Sequence, residues 1–154
     1  MNNTQITTTA MVLDDLDEVM QIEEDSFPYP WSRRSFRGEI MSNRFAYYVV
    51  AKDEEGRVVG YAGIWILYGE AHITTIAVKP PYRNKGIGSL LMAYLLRKAE
   101  EKGADKAFLE VRDSNLVARR IYERFGFEVI GKRKNYYVDE DALIMIRYPG
   151  IAKE

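Results

Sequence analysis

Apolar and polar positions along this chain follow two periods, and the switches between them lay out the elements. Ile6 to Met11 alternates weakly, as a short strand does. Leu16, Val19, Met20 and Phe27 suggest a helix from about Asp15 to Ser26, with Asp14 as its predicted N-cap. Two prolines among three aromatics in Phe27-Pro28-Tyr29-Pro30-Trp31 predict a stiff loop, and Ser32 then predicts the cap of a short helix to about Met41. Phe45 to Lys52 and Arg57 to Leu67 are β-rich runs around the polar Asp53-Glu54-Glu55-Gly56, which reads as a hairpin. His72 to Val78 is rich in β-branched residues, and Pro80 and Pro81 end that strand because neither can donate to a ladder. Leu90, Leu91, Tyr94, Leu95 and Ala99 form the apolar stripe of a long helix that stops at Gly103. Ala107 to Val111 predicts a short buried strand. Ser114 or Asn115 caps a helix to about Phe125, with Val117, Ala118, Ile121, Tyr122 and Phe125 inward and Gly126 at its end. Phe127 to Tyr137 and Ala142 to Tyr148 predict a closing strand pair. The order predicts a single α/β domain over residues 1–154, a mixed sheet of about seven strands with four helices.

One junction carries more chemistry than the others. Between the strand at His72–Val78 and the long helix lies Arg83-Asn84-Lys85-Gly86-Ile87-Gly88, followed by Ser89. Two glycines let a backbone approach a ligand, and the N–H groups and dipole of a helix start favour negative charge. A phosphate or pyrophosphate at Arg83–Ser89 is the expectation; a plain glycine-opened turn with two surface cations is the alternative. A Walker A loop is excluded, because Lys85 precedes Gly86 and Ile87 follows it. A dinucleotide fingerprint lacks its third glycine, since Leu91 stands there, although Glu110 lies where a ribose-binding acid would.

Composition narrows the classes. A length of 154 residues, 47% hydrophobic and 29% charged, suits one soluble globular domain, and a net charge of −1 gives no general attraction to nucleic acid or anionic membrane. The absence of cysteine removes thiolate metal sites, disulfides and a cysteine nucleophile. With His72 alone, a histidine-rich metal site is impossible; this histidine reads as a polar strand residue, and a Ser-His-Asp triad would have to use it. The start MNNTQITTTA has neither a basic cluster nor an apolar run, so no signal peptide is expected, and Tyr61 to Tyr68 is too short to span a bilayer. A cytoplasmic protein is the expectation.

Alternation places Leu109 and Val111 on one face of their strand and Phe108 and Glu110 on the other. Glu110, in a sheet and beside an aromatic, is a candidate for a raised pKa and general-base work, or else a solvent-facing glutamate beside Arg112. Tyr122 lies on the inward stripe of its helix, where a tyrosine commonly just finds a hydrogen-bond partner. Phe27 and Trp31 either close the core or wall a ligand. Arg119, Arg120 and Arg124 read as a solvated helix face, with no nucleic-acid binding expected.

These segments together resemble a known family. Arg83 to Gly88 fits the Arg/Gln-x-x-Gly-x-Gly/Ala loop of the GNAT superfamily of acetyl-CoA-dependent N-acetyltransferases. Phe27-Pro28…Trp31-Ser32, Ala71-His72-Ile73…Ile76-Ala77-Val78, Leu109-Glu110-Val111-Arg112…Ser114-Asn115, Ile121-Tyr122…Phe125-Gly126-Phe127 and Asn135-Tyr136-Tyr137 resemble its RimI-type branch, the ribosomal-protein N-terminal alanine acetyltransferases. The resemblance spans about Ile6 to Tyr148. It implies a GNAT fold and acetyl-CoA as co-substrate, with no metal. Its pyrophosphate would lie on the backbone of Arg83, Asn84, Lys85, Gly86, Ile87, Gly88 and Ser89, and its pantetheine arm would pair with Ile76, Ala77 and Val78. By the same resemblance Asn115 touches the cofactor, Glu110 is general base and Tyr122 general acid. The acceptor, a protein or peptide N-terminus and in this branch a ribosomal protein, would meet Phe27, Tyr29, Trp31, Tyr136 and Tyr137. His72-Ile73-Thr74-Thr75 also resembles N-terminal acetyltransferases of broader range. A small-molecule amine as acceptor, a CoA sensor without turnover and a nicotinamide-dinucleotide protein are the alternatives.

Overall fold

The computed structural model describes residues 5–148; four residues of the amino-terminal stretch and the last six lie outside them. Seven strands and four helices run in the order β1 (Thr7–Ala10), α1 (Leu16–Ser26), α2 (Arg33–Met41), β2 (Ala46–Lys52), β3 (Val58–Leu67), β4 (Glu70–Val78), α3 (Ile87–Glu101), β5 (Lys106–Arg112), α4 (Leu116–Arg124), β6 (Glu128–Tyr137) and β7 (Glu140–Arg147). The strands form one sheet in the order β1-β2-β3-β4-β5-β7-β6. It is mixed: β4 and β5 are parallel, and the β1–β2, β2–β3, β5–β7 and β6–β7 pairs antiparallel. Contacts gather the described residues into two compact units, 5–65 with 74–97, and 66–73 with 98–148.

In the first unit, α1 and α2 bury Leu16, Val19, Ile22 and Phe36 with Tyr48 and Val50 of β2 and Val58 and Tyr61 of β3. Phe36 meets Tyr48 and Tyr61 edge-on, with ring centroids 6.3 and 5.7 Å apart. The predicted N-cap shifts here. Asp14 lies in a 3-10 turn, Leu13–Asp15, ahead of α1. Asp15, buried, accepts from the Val12 amide at 2.9 Å and pairs with Lys52 at 3.1 Å. Ser32 caps α2 as expected, its hydroxyl accepting from the Ser35 amide at 3.1 Å.

Across β2 and β3, Tyr48 stands opposite Gly63. The tyrosine ring lies so flat on β3 that a Cβ at Gly63 would sit 2.2 Å from it. That placement lets the Tyr48 hydroxyl donate to Glu39 of α2 at 2.7 Å and meet the Thr74 hydroxyl at 3.0 Å.

In the second unit β5 alternates as read: Ala107, Leu109 and Val111 are buried, and Phe108 and Glu110 face the other way. Two helical stripes need correction. Leu90 of α3 is 45% exposed while Leu91 and Leu95 are buried, and Val117 of α4 is 62% exposed rather than inward. In α3 the buried face runs through Ile87, Leu91, Leu95 and Ala99, with Leu90 beside it, and in α4 it is Tyr122 that is buried. Arg119 is not simply solvated; its guanidinium donates to the Asp113 carbonyl at 3.1 Å.

Gly63→Ala forces overpacking against a ring fixed by hydrogen bonds at its far end. A destabilisation of about 3 kcal/mol is expected, read as a lower midpoint in urea unfolding.

Candidate active site

The turn between β4 and α3 begins as Pro80–Tyr82, one 3-10 turn. Asn84 and Gly86 then both take the left-handed conformation, with φ of 62° and 84°. Asparagine and glycine are the residues that reach it at least cost. A Cβ at Gly86 would meet nothing within 4 Å, so glycine is needed there for its backbone alone. Asn84, Lys85 and Gly86 are exposed. The first bond of α3 runs from the Leu90 amide to the Gly86 carbonyl at 3.1 Å, which leaves the amides of Ile87, Gly88 and Ser89 without an acceptor inside the helix. No acidic residue lies in that first turn. Exposed main chain, outward amides and local positive charge fit a pyrophosphate.

The side chain of Arg83 does something narrower than anion capture. Its Nε donates to the Val78 carbonyl at 2.8 Å and its terminal nitrogen to the Ser26 hydroxyl at 3.1 Å. The guanidinium therefore ties the start of the turn to the end of β4 and to the end of α1. Of the residues expected to face the pantetheine arm, Ala77 is buried and Ile76 and Val78 are half-buried.

The second unit holds the titratable cluster. The parallel ladder pairs His72 of β4 with Phe108 of β5 and ends there, while β4 continues to Val78. The His72 ring stacks on Phe108, centroids 4.5 Å apart and planes 10° from parallel. Its Nε2 lies 2.7 Å from Oε1 of Glu110. Arg133 approaches the other carboxylate oxygen at 3.6 Å. The Glu110 side chain is only 6% exposed. Burial pushes its pKa up, but the His72 hydrogen bond and the charges of His72 and Arg133 more than offset it, and the carboxyl lies below the usual glutamate value. The expected raised pKa is thus corrected: Glu110 is a buried carboxylate held ionised. Sequence reasoning left His72 as a polar strand residue and did not name Arg133; only the strand register brings them to Glu110.

Tyr122 is buried on α4, its ring 6.1 Å from Phe127. Burial, with Tyr137 close by, pushes its phenol well above the ordinary value, so it keeps its proton at any physiological pH. Asn115 caps α4, its side-chain oxygen accepting from the Ala118 amide at 3.2 Å. In β6, Asn135 has φ 54° and the register with β7 slips between Arg133 and Tyr137. Tyr136 and Tyr137 differ in exposure while their rings stay edge-on, centroids 5.0 Å apart. Tyr137 is half-buried, donates to the Glu110 carbonyl at 3.3 Å and lies 4.3 Å under the Arg112 guanidinium, whereas Tyr136 is exposed. The loop at 27–31 divides similarly. Phe27 and Trp31 pack on the first unit's core, and Tyr29 is 56% exposed.

The mixed seven-stranded sheet thus carries a glycine-opened turn after its fourth strand and a buried carboxylate on its fifth. Comparison with known proteins gives this arrangement a family. The sequence profile described as the acetyltransferase (GNAT) family matches residues 16–127, and the chain belongs to that family. Its acetyl donor is acetyl-CoA. The chain is 34% identical over 149 residues to the ribosomal protein bS18-alanine N-acetyltransferase of Salmonella typhimurium, covering 94% of this chain and 96% of the relative. A Bacillus subtilis protein carrying the same name provisionally is 45% identical over 137 residues, 88% of this chain and 90% of its own. The crystal structure of the ribosomal-protein-S18-alanine N-acetyltransferase from Escherichia coli superposes with a TM-score of 0.84 at 30% identity, over 94% of both chains. The nicotinamide-dinucleotide alternative has no support beside these relatives. No helix of the described residues is long and apolar enough to cross a membrane.

Gly86→Ala would have to hold a left-handed backbone at a cost of about 1–2 kcal/mol; a loss of about tenfold in acetyl-CoA affinity is expected by calorimetric titration. His72→Ala removes the hydrogen bond and charge that lower the Glu110 pKa while leaving its burial, so that pKa should rise. An NMR titration of the Glu110 carboxyl carbon reads the shift directly.

Proposed function

We propose that this enzyme moves the acetyl group of acetyl-CoA directly to the N-terminal α-amine of a protein, with alanine- or serine-starting chains, ribosomal proteins first among them, as acceptors. The buried carboxylate of Glu110, kept ionised at 2.7 Å from His72, is the observation that carries the chemistry. The acceptor class rests on relatives named as bS18-alanine N-acetyltransferases and alike over nine-tenths of both chains. An acceptor made on the ribosome places the reaction in the cytoplasm, and residues 1–154 act as one catalytic domain.

A free α-amine has a pKa of roughly 7.7–8.0, so near neutrality much of it is an ammonium that cannot attack. Glu110, directly or through a water, takes one proton as the amine meets the acyl carbon. A carboxylate below the usual glutamate pKa is a weak base, and His72 and Arg133 hold it ionised and in place. Acetyl-CoA supplies an activated thioester, bound with its pyrophosphate on the amides of residues 83–89. Main-chain N–H groups at Ile76–Val78 donate to the developing oxyanion. Tyr122, protonated throughout, gives its hydroxyl proton to the departing sulfur. Asn115 meets the cofactor through its amide nitrogen, since its oxygen caps α4. Tyr29 and Tyr136 are the exposed aromatics that meet the acceptor; Phe27, Trp31 and Tyr137 support them from behind. A polyamine or antibiotic acceptor is the second reading, and a CoA sensor would leave the Glu110–His72 pair unused.

Given acetyl-CoA and a panel of peptides, the enzyme should release CoA with Ala- and Ser-starting peptides and little with lysine side chains. Glu110→Gln and Tyr122→Phe should each lower kcat by about a hundredfold or more with acetyl-CoA affinity intact; unchanged rates in both would remove these roles.

A further inference from the structure

Glu23 of α1 is a carboxylate that the proposed reaction does not use, and it is 2% exposed. A buried carboxylate needs donors. Its Oε2 accepts the Trp31 amide at 2.8 Å, and its Oε1 accepts the hydroxyl of Tyr61, itself fully buried. The main-chain carbonyl of the same residue accepts the Phe27 amide at 3.1 Å. The Phe27 bond is the closing main-chain bond of α1 and needs no particular side chain, whereas the Trp31 end of the loop is held by the Glu23 carboxylate.

Pro28 and Pro30 have no N–H, so only Phe27, Tyr29 and Trp31 can donate from the loop's main chain, and Glu23 takes two of the three. The Trp31 ring is held as well, 5.1 Å from Phe36, which packs edge-on against Tyr61. Between these fixed ends two prolines restrict the backbone and leave Tyr29 facing outward. A loop ordered in advance loses little conformational freedom when a ligand arrives.

We propose that Glu23 is a positioning residue for the acceptor: by tying the Trp31 end of the Phe27–Trp31 loop to α1 and Tyr61 it sets where Tyr29 meets the incoming N-terminus. This rests on the reading of that loop as a wall of the acceptor site. The tie acts on the acceptor alone, so its loss separates acceptor KM from kcat and from the KM for acetyl-CoA.

Steady-state kinetics with an alanine-starting peptide on the full chain test this with Glu23→Ala, Glu23→Gln and Tyr29→Ala. Glu23→Ala should raise the acceptor KM by about tenfold, the scale of one charge-assisted hydrogen bond, with kcat and the acetyl-CoA KM unchanged. Exchange of the Trp31 amide with solvent should accelerate in parallel. Glu23→Gln should restore the wild-type acceptor KM, because its oxygen still accepts from Trp31 and its NH2 can donate to the Tyr61 oxygen. Glu23→Asp, which keeps the charge but draws it back from Trp31, reads the same quantities if the alanine variant does not fold. If Tyr29→Ala raises the acceptor KM and the Glu23 variants do not, the tie is overturned and the loop remains the acceptor wall. If none of them moves it, the acceptor-wall reading falls and the tie falls with it. Equal changes in both KM values and kcat would mark a merely structural role and overturn the inference.

Discussion

A carboxylate inside a sheet persists as an anion only where something donates to it, and Glu110 draws its donor from the parallel register of β4 and β5. Pairing His72 with Phe108 stacks the two rings and brings the imidazole across to the carboxylate two residues further along β5. A shift of one residue would turn His72 to the opposite face and leave Glu110 buried without that partner. The register also fixes what lies beyond it. Tyr137 can reach the Glu110 carbonyl because β6 slips against β7, and that slip coincides with the left-handed Asn135, whose amide donates to Asp141 at 2.8 Å.

The turn between β4 and α3 shows the opposite case, with polar backbone left exposed instead of satisfied. Two prolines end β4 without supplying donors, and two left-handed residues turn the chain so that α3 starts with its amides outward. Such a segment has little to hold it in shape. Arg83 supplies the tie, spending its guanidinium on the Val78 carbonyl and the Ser26 hydroxyl. A residue that looks in sequence like a phosphate-binding cation is here a fastening for the backbone of the turn.

What could be read from the sequence was what depends on neighbours along the chain. All seven strands and four helices followed from periodicity, and the caps at Ser32 and Asn115 from side-chain chemistry next to a helical stripe. Glycine-bearing stops at Gly103 and Gly126 did too, both with positive φ. The cap at Asp14 failed because Asp15 has a stronger use, bonding the Val12 amide and Lys52. At the candidate site the same division holds. The turn at residues 83–89 is local, and its glycine-opened helix start was legible. The His72–Glu110 contact joins residues 38 apart, and no periodicity in either strand encodes which residue stands beside which. For that reason neither open reading of Glu110, a raised pKa or a solvent-facing glutamate, holds: a partner on the neighbouring strand cannot be seen in an alternating pattern.

Glu23 and Glu110 show how partner type decides what a buried carboxylate can do. Both are buried and both accept good hydrogen bonds. Glu23 is met by an amide and a phenol, which are neutral, and burial prevails, pushing its pKa up. Glu110 is met by an imidazole and has a guanidinium nearby, and there burial loses. Neutral dipoles can fix the position of a carboxylate without fully compensating its charge, which suits a residue that fastens a loop. A cationic neighbour stabilises the charge itself, which keeps Glu110 ionised near neutrality but lowers its basicity. The two carboxylates thus differ in partner type more than in burial: strand register brings His72 to Glu110, and the packing of α1 on β3 brings Tyr61 to Glu23.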